Sequence, residues 1–203
     1  MSKTALIIGD SPIVKKVEYE LPYILNKYFS LGINRIVRQY QTSKHIFLDV
    51  VMAHMTNEYP SIPAITLSKY DNIVNKEKEL INTFSNEFDF YGKFVDFRCV
   101  NENQELAWCG FTHDYAISYL VSKGYENIVL IGAADFVKGG HYINNNIAFI
   151  SSDKLQRQSK QFIECVHNNY ATIYTINENT PLDINYISVD DLMNQTLDKA
   201  LNT

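Results

Sequence analysis

The sequence predicts an α/β protein in which a mostly parallel β-sheet carries helices on both faces. Short apolar runs alternate along the chain with segments of helical periodicity, which is the order expected of β–α–β units with right-handed crossovers. Residues 4–9 and 128–131 are continuous apolar runs, typical of central strands that are buried on both faces. The second run stops at Gly132 and is followed by Asp135, and an open α/β sheet usually binds its ligand at this carboxyl edge. An ordinary polar loop is the alternative interpretation of this stretch.

Turn residues divide the N-terminal half of the chain into short elements. Pro12 fits the first turn of a helix after the opening strand, Pro22 interrupts the next segment, and Pro60 ends a short helix. The aromatic stretch 88–100 lacks regular alternation, so we expect a lid or an insertion at about 85–107. The strands expected in this half are residues 4–9, 32–37, 46–51 and 64–67, and the helices are residues 23–28, 52–59 and 72–84.

The C-terminal half contains the clearest helix of the chain, at residues 110–123. Apolar side chains recur there at helical spacing, and Gly124 supplies a stop at the C-terminal end. The strand at residues 128–131 comes next, and further apolar segments continue the alternation. The remaining expected elements are helices at residues 152–167 and 190–201 and strands at residues 171–176 and 184–188.

The composition bounds the class of protein. A chain of 203 residues with 46% hydrophobic residues suits one α/β domain spanning residues 1–203. The net charge of −5 argues against a broad nucleic-acid footprint, which needs clustered lysine and arginine, so we expect no nucleic-acid partner. Three widely separated cysteines and a short N-terminal apolar run predict a soluble cytoplasmic protein without disulfides, structural zinc or a membrane span.

The loop after the first strand, GDSP at residues 9–12, is the first candidate for ligand binding. Gly9 tolerates a positive φ and Pro12 fits a helix start, so backbone N–H groups of this loop could face a phosphate. The loop does not match GxGxxG, and taken alone it is better explained as a tight turn from strand to helix.

Histidine and carboxylate side chains supply candidates for acid–base chemistry. His141 lies in a glycine-flanked loop after the strand at residues 128–131 and is the best candidate for a general base, with a solvated loop histidine as the alternative. Asp114 suits the first turn of its helix because of the helix dipole, and the neighbouring His113 is interpreted as a surface or capping residue.

Other side chains allow weaker hypotheses. Asp49 ends a strand and could hold a ribose hydroxyl or a metal, or cap a helix. His45 shares a strand face with Asp49, but two ligands make a weak metal site; we expect no metal and interpret His45 as a strand-edge residue. Phe111 could stack on a base, although core packing is the commoner role, and Cys109 lacks the partner base that a nucleophile needs.

Three motifs follow one another over residues 4–142. They are TALIIGDSP at the N-terminus, GINRI followed by HIFLDVV, and CGFTHDYAISYLVSKGYENIVLIGAADF. Their order and spacing resemble the bacterial sialyltransferases of glycosyltransferase family 42 and the related motility-associated-factor (flagellin) glycosyltransferases. The resemblance implies a Rossmann-like, GT-A-like single domain that binds a nucleotide sugar, typically a cytidine monophosphate sugar, and needs no further cofactor.

The resemblance also implies roles for individual residues. The opening loop would lie by the phosphate or ribose, Asn34 would contact the nucleotide or the donor sugar, and Tyr142 would be a phosphate ligand. Residues at the start of the clearest helix would lie near the donor, and those after the strand at residues 128–131 would border the base and ribose. Together with Asp49, the substrate-binding residues expected are Gly9, Asp10, Ser11, Asn34, Cys109, Gly110, Asp135 and Phe136.

Three departures separate the chain from the family pattern. Asp10 stands where a small or amide residue is common, and a carboxylate repels a phosphate. Cys109 replaces a serine at the helix start, and the region before the late helix lacks the family's catalytic histidine. His141 and Tyr142 are then the residues expected to assist transfer.

We therefore expect a sialyltransferase-like glycosyltransferase that moves a sugar from a nucleotide sugar to a hydroxyl of a glycan or another acceptor. Two alternatives stay open at this point. One is a non-catalytic nucleotide-binding or interaction protein on the same fold, and the other is a metal-dependent enzyme of nucleotide metabolism that uses Asp49 and Asp135. Assembly into a homo-oligomer is compatible with each of these functions.

Overall fold

A computed structural model describes residues 2–46, 64–67, 88–91, 111–136 and 153–194 of the chain. Within these ranges the chain forms eight strands that belong to one β-sheet. In chain order the strands are β1 (Thr4–Ile8), β2 (Phe29–Ile33), β3 (Lys44–Ile46), β4 (Ala64–Leu67), β5 (Phe88–Tyr91), β6 (Asn127–Ile131), β7 (Thr172–Thr175) and β8 (Asn185–Tyr186).

The strands lie in the order β5-β4-β3-β2-β1-β6-β7-β8, and each pairing between neighbours is parallel. Strand β1 is therefore central, with β2 to β5 on one side and β6 to β8 on the other. The register places Ile8 opposite Gly32 of β2 and Ile131 of β6, so these strands end at the same edge. The direction of strand addition reverses between β1 and β6, which makes their carboxyl ends the topological switch point of the sheet.

Helices cover both faces of this sheet. Two 3₁₀ helices, Pro12–Val17 and Asn34–Arg38, follow β1 and β2. The α-helices within the described ranges are α1 (Leu21–Leu25), α2 (Thr112–Ser122), α3 (Asp153–Asn169) and α4 (Val189–Asn194).

Successive residues of β1 enter two separate apolar cores, as the two-residue period of a strand requires. Ala5 and Ile7 pack with side chains of α2 and α3. Leu6 and Ile8 pack on the opposite face with the first 3₁₀ helix, α1 and α4. All four side chains are fully buried, and burial of a Leu or Ile side chain contributes about 1.5–3 kcal/mol to folding. The predicted α/β, Rossmann-like fold is therefore confirmed.

The second predicted strand differs from the observed one. We expected residues 32–37 to be extended, but β2 ends at Ile33 and a 3₁₀ helix begins at Asn34. Asn34 has a φ of 53°, in the left-handed region. An extended ladder needs φ values near −120°, so the strand ends where the backbone turns left-handed.

Several other expected elements lie wholly or partly beyond the described ranges. Within the segment 85–107 the structure describes Phe88–Tyr91, which pairs with β4 at one edge of the described sheet. The lid or insertion expected over the rest of that segment stays a prediction, as do the helices at residues 52–59 and 72–84. None of the helices in the described part of the chain is long and apolar enough to cross a membrane.

Candidate functional site

The loops that follow β1 and β6 are locked together by their backbones. The Gly9 N–H donates to the carbonyl oxygen of Ile131 at 2.8 Å, and the Ser11 N–H donates to that of Gly132 at 3.1 Å. A Cβ atom on Gly9 would lie 2.1 Å from the Gly132 oxygen, so only glycine fits there without a shift of the backbone. These two N–H groups are engaged inside the protein and are not available to a phosphate. The finding agrees with the tight turn that the loop sequence alone favours and does not support these two groups as a phosphate cradle.

Asp135 lies buried at the switch point, with 6% of its surface exposed. Its Oδ1 accepts a hydrogen bond from the Asn177 side chain at 3.1 Å, whereas its Oδ2 is buried without a hydrogen-bond partner among the described residues. Burial raises the pKa of Asp135, and the Ser11 hydroxyl, the Asn177 amide and the charge of Lys16 oppose that rise. Among the described residues no donor lies within hydrogen-bonding distance of Oδ2, although the Ser11 hydroxyl is near enough to favour the charged form of this carboxyl group. A hydroxyl or N–H of a ligand would satisfy this atom.

The backbone on both sides of Asp135 is left-handed. Ala134 has a φ of 58° and Phe136 a φ of 48°. A non-glycine residue in this region costs about 1–3 kcal/mol, and such strain persists only where the surrounding structure holds it. Among the described residues, Asn34 is the remaining non-glycine residue with a positive φ, so the strain is concentrated in the loops at the carboxyl edge of the sheet.

Asn34 is held at that edge by two hydrogen bonds. Its carbonyl oxygen accepts from Nε2 of His45 at 2.9 Å, and its Oδ1 accepts from the Thr112 hydroxyl at 3.3 Å. His45 was expected at a strand edge, but it is fully buried within β3. Burial lowers the pKa of His45 to about 4, against a smaller opposing effect of the Asn34 carbonyl. The ring is therefore neutral at pH 7, with its proton on Nε2 because a carbonyl oxygen can only accept.

The start of α2 carries a buried polar network that reaches α3. Nε2 of His113 lies 2.9 Å from Oγ of Ser159, and the Ser159 hydroxyl donates to Oδ1 of Asp114 at 2.5 Å. Oδ2 of Asp114 accepts from the Phe111 N–H at 3.3 Å, which satisfies a backbone donor at the helix start. His113, expected at the surface or as a capping residue, is instead buried against α3.

Burial dominates the pKa values of this network. It raises the pKa of Asp114 to about 7, although hydrogen bonds from Ser159 and from the Phe111 N–H favour the charged form. It lowers the pKa of His113 to about 3. At neutral pH the imidazole is therefore uncharged, and the carboxyl group is close to half protonated.

Aromatic rings connect the start of α2 to the loop after β6. Phe111 stacks on His113 with the ring centroids 5.0 Å apart, and Phe136 meets these two rings edge-on at 6.1 and 5.7 Å. Phe111 and Phe136 are partly exposed. Because Thr112 also contacts Asn34, contacts run without a break from the end of β2 to the loop after β6.

The structure places the described members of the predicted site at one edge of the sheet. The loop at residues 9–11 contacts the loop that carries Asp135 and Phe136, and Asn34 is joined to that loop through the start of α2. A role in ligand binding stays a prediction for each of them. The other expected site residues, Asp49, Cys109, Gly110, His141 and Tyr142, lie outside the described residues.

Sequence reasoning missed two residues that hold this edge, Asn177 and Ser159, and assigned a third, His45, to the wrong environment. Asn177 follows β7, so the carboxyl-edge rule that singled out Asp135 could have found it. Ser159 lies three and four residues before Phe162 and Ile163, on the apolar face of α3, and a polar residue on such a face signals a buried hydrogen bond. His45 has no comparable local signal, because its partner is the backbone carbonyl of Asn34, in the 3₁₀ helix that follows β2.

The described ranges contain no group of three or more His, Cys, Asp or Glu side chains placed to hold a metal ion.

The fold and the buried carboxylate at its switch point define a Rossmann-like α/β protein with a polar carboxyl edge. Comparison of the chain with protein-family models, with curated proteins and with solved structures finds no match.

Proposed function

We propose that the protein is a glycosyltransferase-like enzyme that uses a nucleotide sugar, such as a cytidine monophosphate sugar, as donor and a hydroxyl as acceptor. The observation that carries the proposal is the buried Oδ2 of Asp135, an acceptor with no donor among the described residues, at the switch point of a parallel sheet. Nucleotides bind at this place in open α/β sheets, and a ribose hydroxyl is the donor that a nucleotide would bring to the carboxylate.

Two further features support a nucleotide as the ligand. Phe111 and Phe136 present partly exposed aromatic rings beside Asp135, and such rings can stack on a base. The Oδ1 of Asn34 accepts from Thr112, so the Asn34 side chain would meet a ligand through its amide N–H groups, which can donate to a phosphate or sugar oxygen.

The choice of a sugar nucleotide rests on the order of motifs along residues 4–142. Transfer needs stabilisation of the leaving phosphate and a base for the acceptor hydroxyl. His141 and Tyr142, in the loop that follows the Asp135 segment, are the residues proposed to assist at these two steps.

The proposal is tested by incubating the protein with a panel of nucleotide sugars and measuring thermal stabilisation and donor cleavage. We expect a cytidine monophosphate sugar to stabilise the fold by about 2.7 kcal/mol when present at 100 times its Kd. The Asp135→Asn variant should bind about 10-fold more weakly or worse, because a hydrogen bond to a charged group contributes about 1.5–3 kcal/mol.

The matched control is Asp190→Asn, which removes a carboxylate from an exposed position of α4. This variant should bind and cleave the donor like the parent protein. Absence of a thermal shift and of cleavage across the whole panel would contradict the proposal.

A non-catalytic nucleotide-binding protein is the second candidate, and the opening loop favours it. The Gly9 and Ser11 N–H groups are engaged internally. Asp10 lies in the loop that the family resemblance assigns to the phosphate or ribose, and its carboxylate would repel a phosphate. Binding without turnover separates this candidate from the first. For the transferase, Asn34→Ala and His141→Ala should reduce turnover, whereas the binding protein has no turnover to lose.

A further inference from the structure

The side chains of His113, Ser159 and Asp114 form a buried chain of hydrogen bonds, and none of the three is among the residues assigned to the donor site above. Its atoms are linked by distances of 2.9 Å from His113 Nε2 to Ser159 Oγ and of 2.5 Å from Ser159 Oγ to Asp114 Oδ1. Ser159 and Asp114 are completely buried. Ser159 is therefore not a nucleophile that a substrate could reach. Nε2 of His113 also lies 3.4 Å from Oδ1 of Asp114, so the Ser159 hydroxyl is a nearer partner for each of these two atoms than they are for each other.

The hydrogen bonds of this chain can run in two directions without movement of heavy atoms. When Asp114 is ionised, the Ser159 hydroxyl donates to it, and Oγ of Ser159 accepts a hydrogen bond from the Nε2–H of His113. When Asp114 is protonated, it donates to Ser159, and the Ser159 hydroxyl donates to Nε2. A proton can thus pass between the imidazole and the carboxyl group through the serine.

His113 is the member of the chain that borders the donor site. Its side chain keeps 10% of its surface exposed, whereas that of Asp114 keeps none. Its ring stacks on Phe111 and makes a T-shaped contact with Phe136, and the residue before it, Thr112, contacts Asn34. In the described part of the chain, Nε2 is its one hydrogen-bonded ring nitrogen, so Nδ1 is left to accept a proton.

Resting on the proposed function, we propose that His113, rather than His141, is the base for the acceptor hydroxyl and that Asp114 stores the proton delivered through Ser159. His141 then assists, with Tyr142, at the leaving phosphate. The acceptor O–H proton moves to Nδ1 of His113, the Nε2 proton moves to Ser159 Oγ, and the serine hydroxyl proton moves to the Asp114 carboxylate. The acceptor oxygen bonds to the anomeric carbon as the bond from that carbon to the phosphate oxygen breaks. The electron pair of that bond leaves with the phosphate, so charge and protons balance.

The electrostatics of the chain fit this direction of transfer. A proton rests more stably on Asp114, with a pKa of about 7, than on His113, with a pKa of about 3. A general base is most effective when its pKa is close to the working pH. For two coupled groups the apparent pKa belongs to the pair and not to either residue alone. Nε2 of His113 and Oδ1 of Asp114 face each other at 3.4 Å, and the other polar groups that act on the pKa of Asp114 are Ser159 of α3 and the Phe111 N–H.

The first arm of the test is the pH dependence of sugar transfer in the parent protein and in Ser159→Ala. Removal of a general base typically costs about 10²–10⁴-fold in rate, and Ser159→Ala should lower kcat at least about 10-fold with KM unchanged. In the parent protein kcat should rise with pH around 7, as Asp114 loses its proton, and in Ser159→Ala this rise should disappear. Ser159→Thr keeps the hydroxyl and should restore kcat and its pH dependence. The control Ser118→Ala removes a different buried serine, which lies on α2, and should behave like the parent. A parental kcat and pH profile in Ser159→Ala overturns the proposal.

The second arm needs no substrate, and it tests the proton transfer through Ser159 independently of the proposed function. In ¹⁵N-histidine-labelled protein, the His113 ring signals should shift with a midpoint near pH 7, as Asp114 titrates and the hydrogen bonds reverse. Asp114→Asn should abolish this step. Ring signals that do not change around pH 7 overturn the proposed proton transfer through Ser159, even where the donor is cleaved. Absence of turnover with every donor removes the transfer step together with the proposed function, and the titration still decides whether the three residues share a proton.

Discussion

At the scale of single residues, buried polar side chains hold the carboxyl edge of the sheet. His45 donates to the backbone of Asn34, and Ser159 joins His113 to Asp114 between two helices. Each of the titratable members has its pKa shifted mainly by burial. The stability of the fold should therefore depend on pH in a way that can be assigned to individual groups.

The contribution of His45 has a definite sign. Its pKa is about 4 in the fold against 6.5 for the free side chain, so the unfolded chain binds more protons between these values. The stabilisation is fully present above about pH 6.5 and is lost as the pH falls through about 4.

His113 and Asp114 largely cancel in the same range. Between about pH 4 and 6.5 the folded pair carries one proton on Asp114, and the unfolded pair carries one on His113. Equal proton numbers in the two states give no slope of stability with pH. Of these three groups, His45 should therefore dominate the acid sensitivity of the fold.

We predict that the free energy of unfolding rises with pH between 4.5 and 6.5, by up to about 1.4 kcal/mol per pH unit from this one histidine. Substitution of His45 by Gln should flatten that rise, and urea unfolding at several pH values measures it. The matched control is His167→Gln, because His167 also has a lowered pKa but is partly exposed and should change the slope less. Parallel stability curves for the parent protein and His45→Gln would contradict the assignment.

At the scale of elements, the loops after β1 and β6 act as one unit. Gly9 lies against the Gly132 carbonyl, and Gly132 in turn has no room for a Cβ atom, which would lie 2.2 Å from Val14. Their close approach brings the Ser11 turn and the Asp135 loop together. The geometry of the proposed donor site therefore depends on two glycines that need not touch the ligand.

We predict that Gly9→Ala destabilises the fold by about 3 kcal/mol or more, because a backbone clash forces the two loops apart. Gly124→Ala is the matched control, since Gly124 has a φ of 73° but open space around its missing Cβ. That variant should cost about 1–2 kcal/mol from the left-handed backbone alone. Equal losses in thermal or chemical unfolding of the two variants would show that the loops are not locked.

The elements also show what the sequence could and could not predict. The continuous apolar runs of β1 and β6 predicted central strands, because burial on both faces leaves no polar alternation. The end of β2 could not be read in the same way, since Asn34 turns left-handed under the constraint of His45 on the neighbouring strand. A contact between strands leaves no trace in local propensity.

At the scale of the whole molecule, the parallel order of strands decides which distant residues meet. The carboxyl-edge rule correctly placed the loops at residues 9–11 and 132–136 side by side. It could not show that Ser159 meets Asp114, because this contact depends on how α3 packs against α2. Sequence reasoning therefore predicted the loops at the carboxyl edge of the sheet but not the hydrogen-bond network between α2 and α3.

The most direct test of a nucleotide site at this edge is a titration of ¹⁵N-labelled protein with a cytidine monophosphate sugar, followed by backbone amide shifts. We expect the shifts to cluster at the carboxyl edge, in residues 9–11, 34, 135–136 and 177, and to weaken in Asp135→Asn. Shifts confined to the opposite edge of the sheet, or none at saturating nucleotide sugar, would contradict the proposed site.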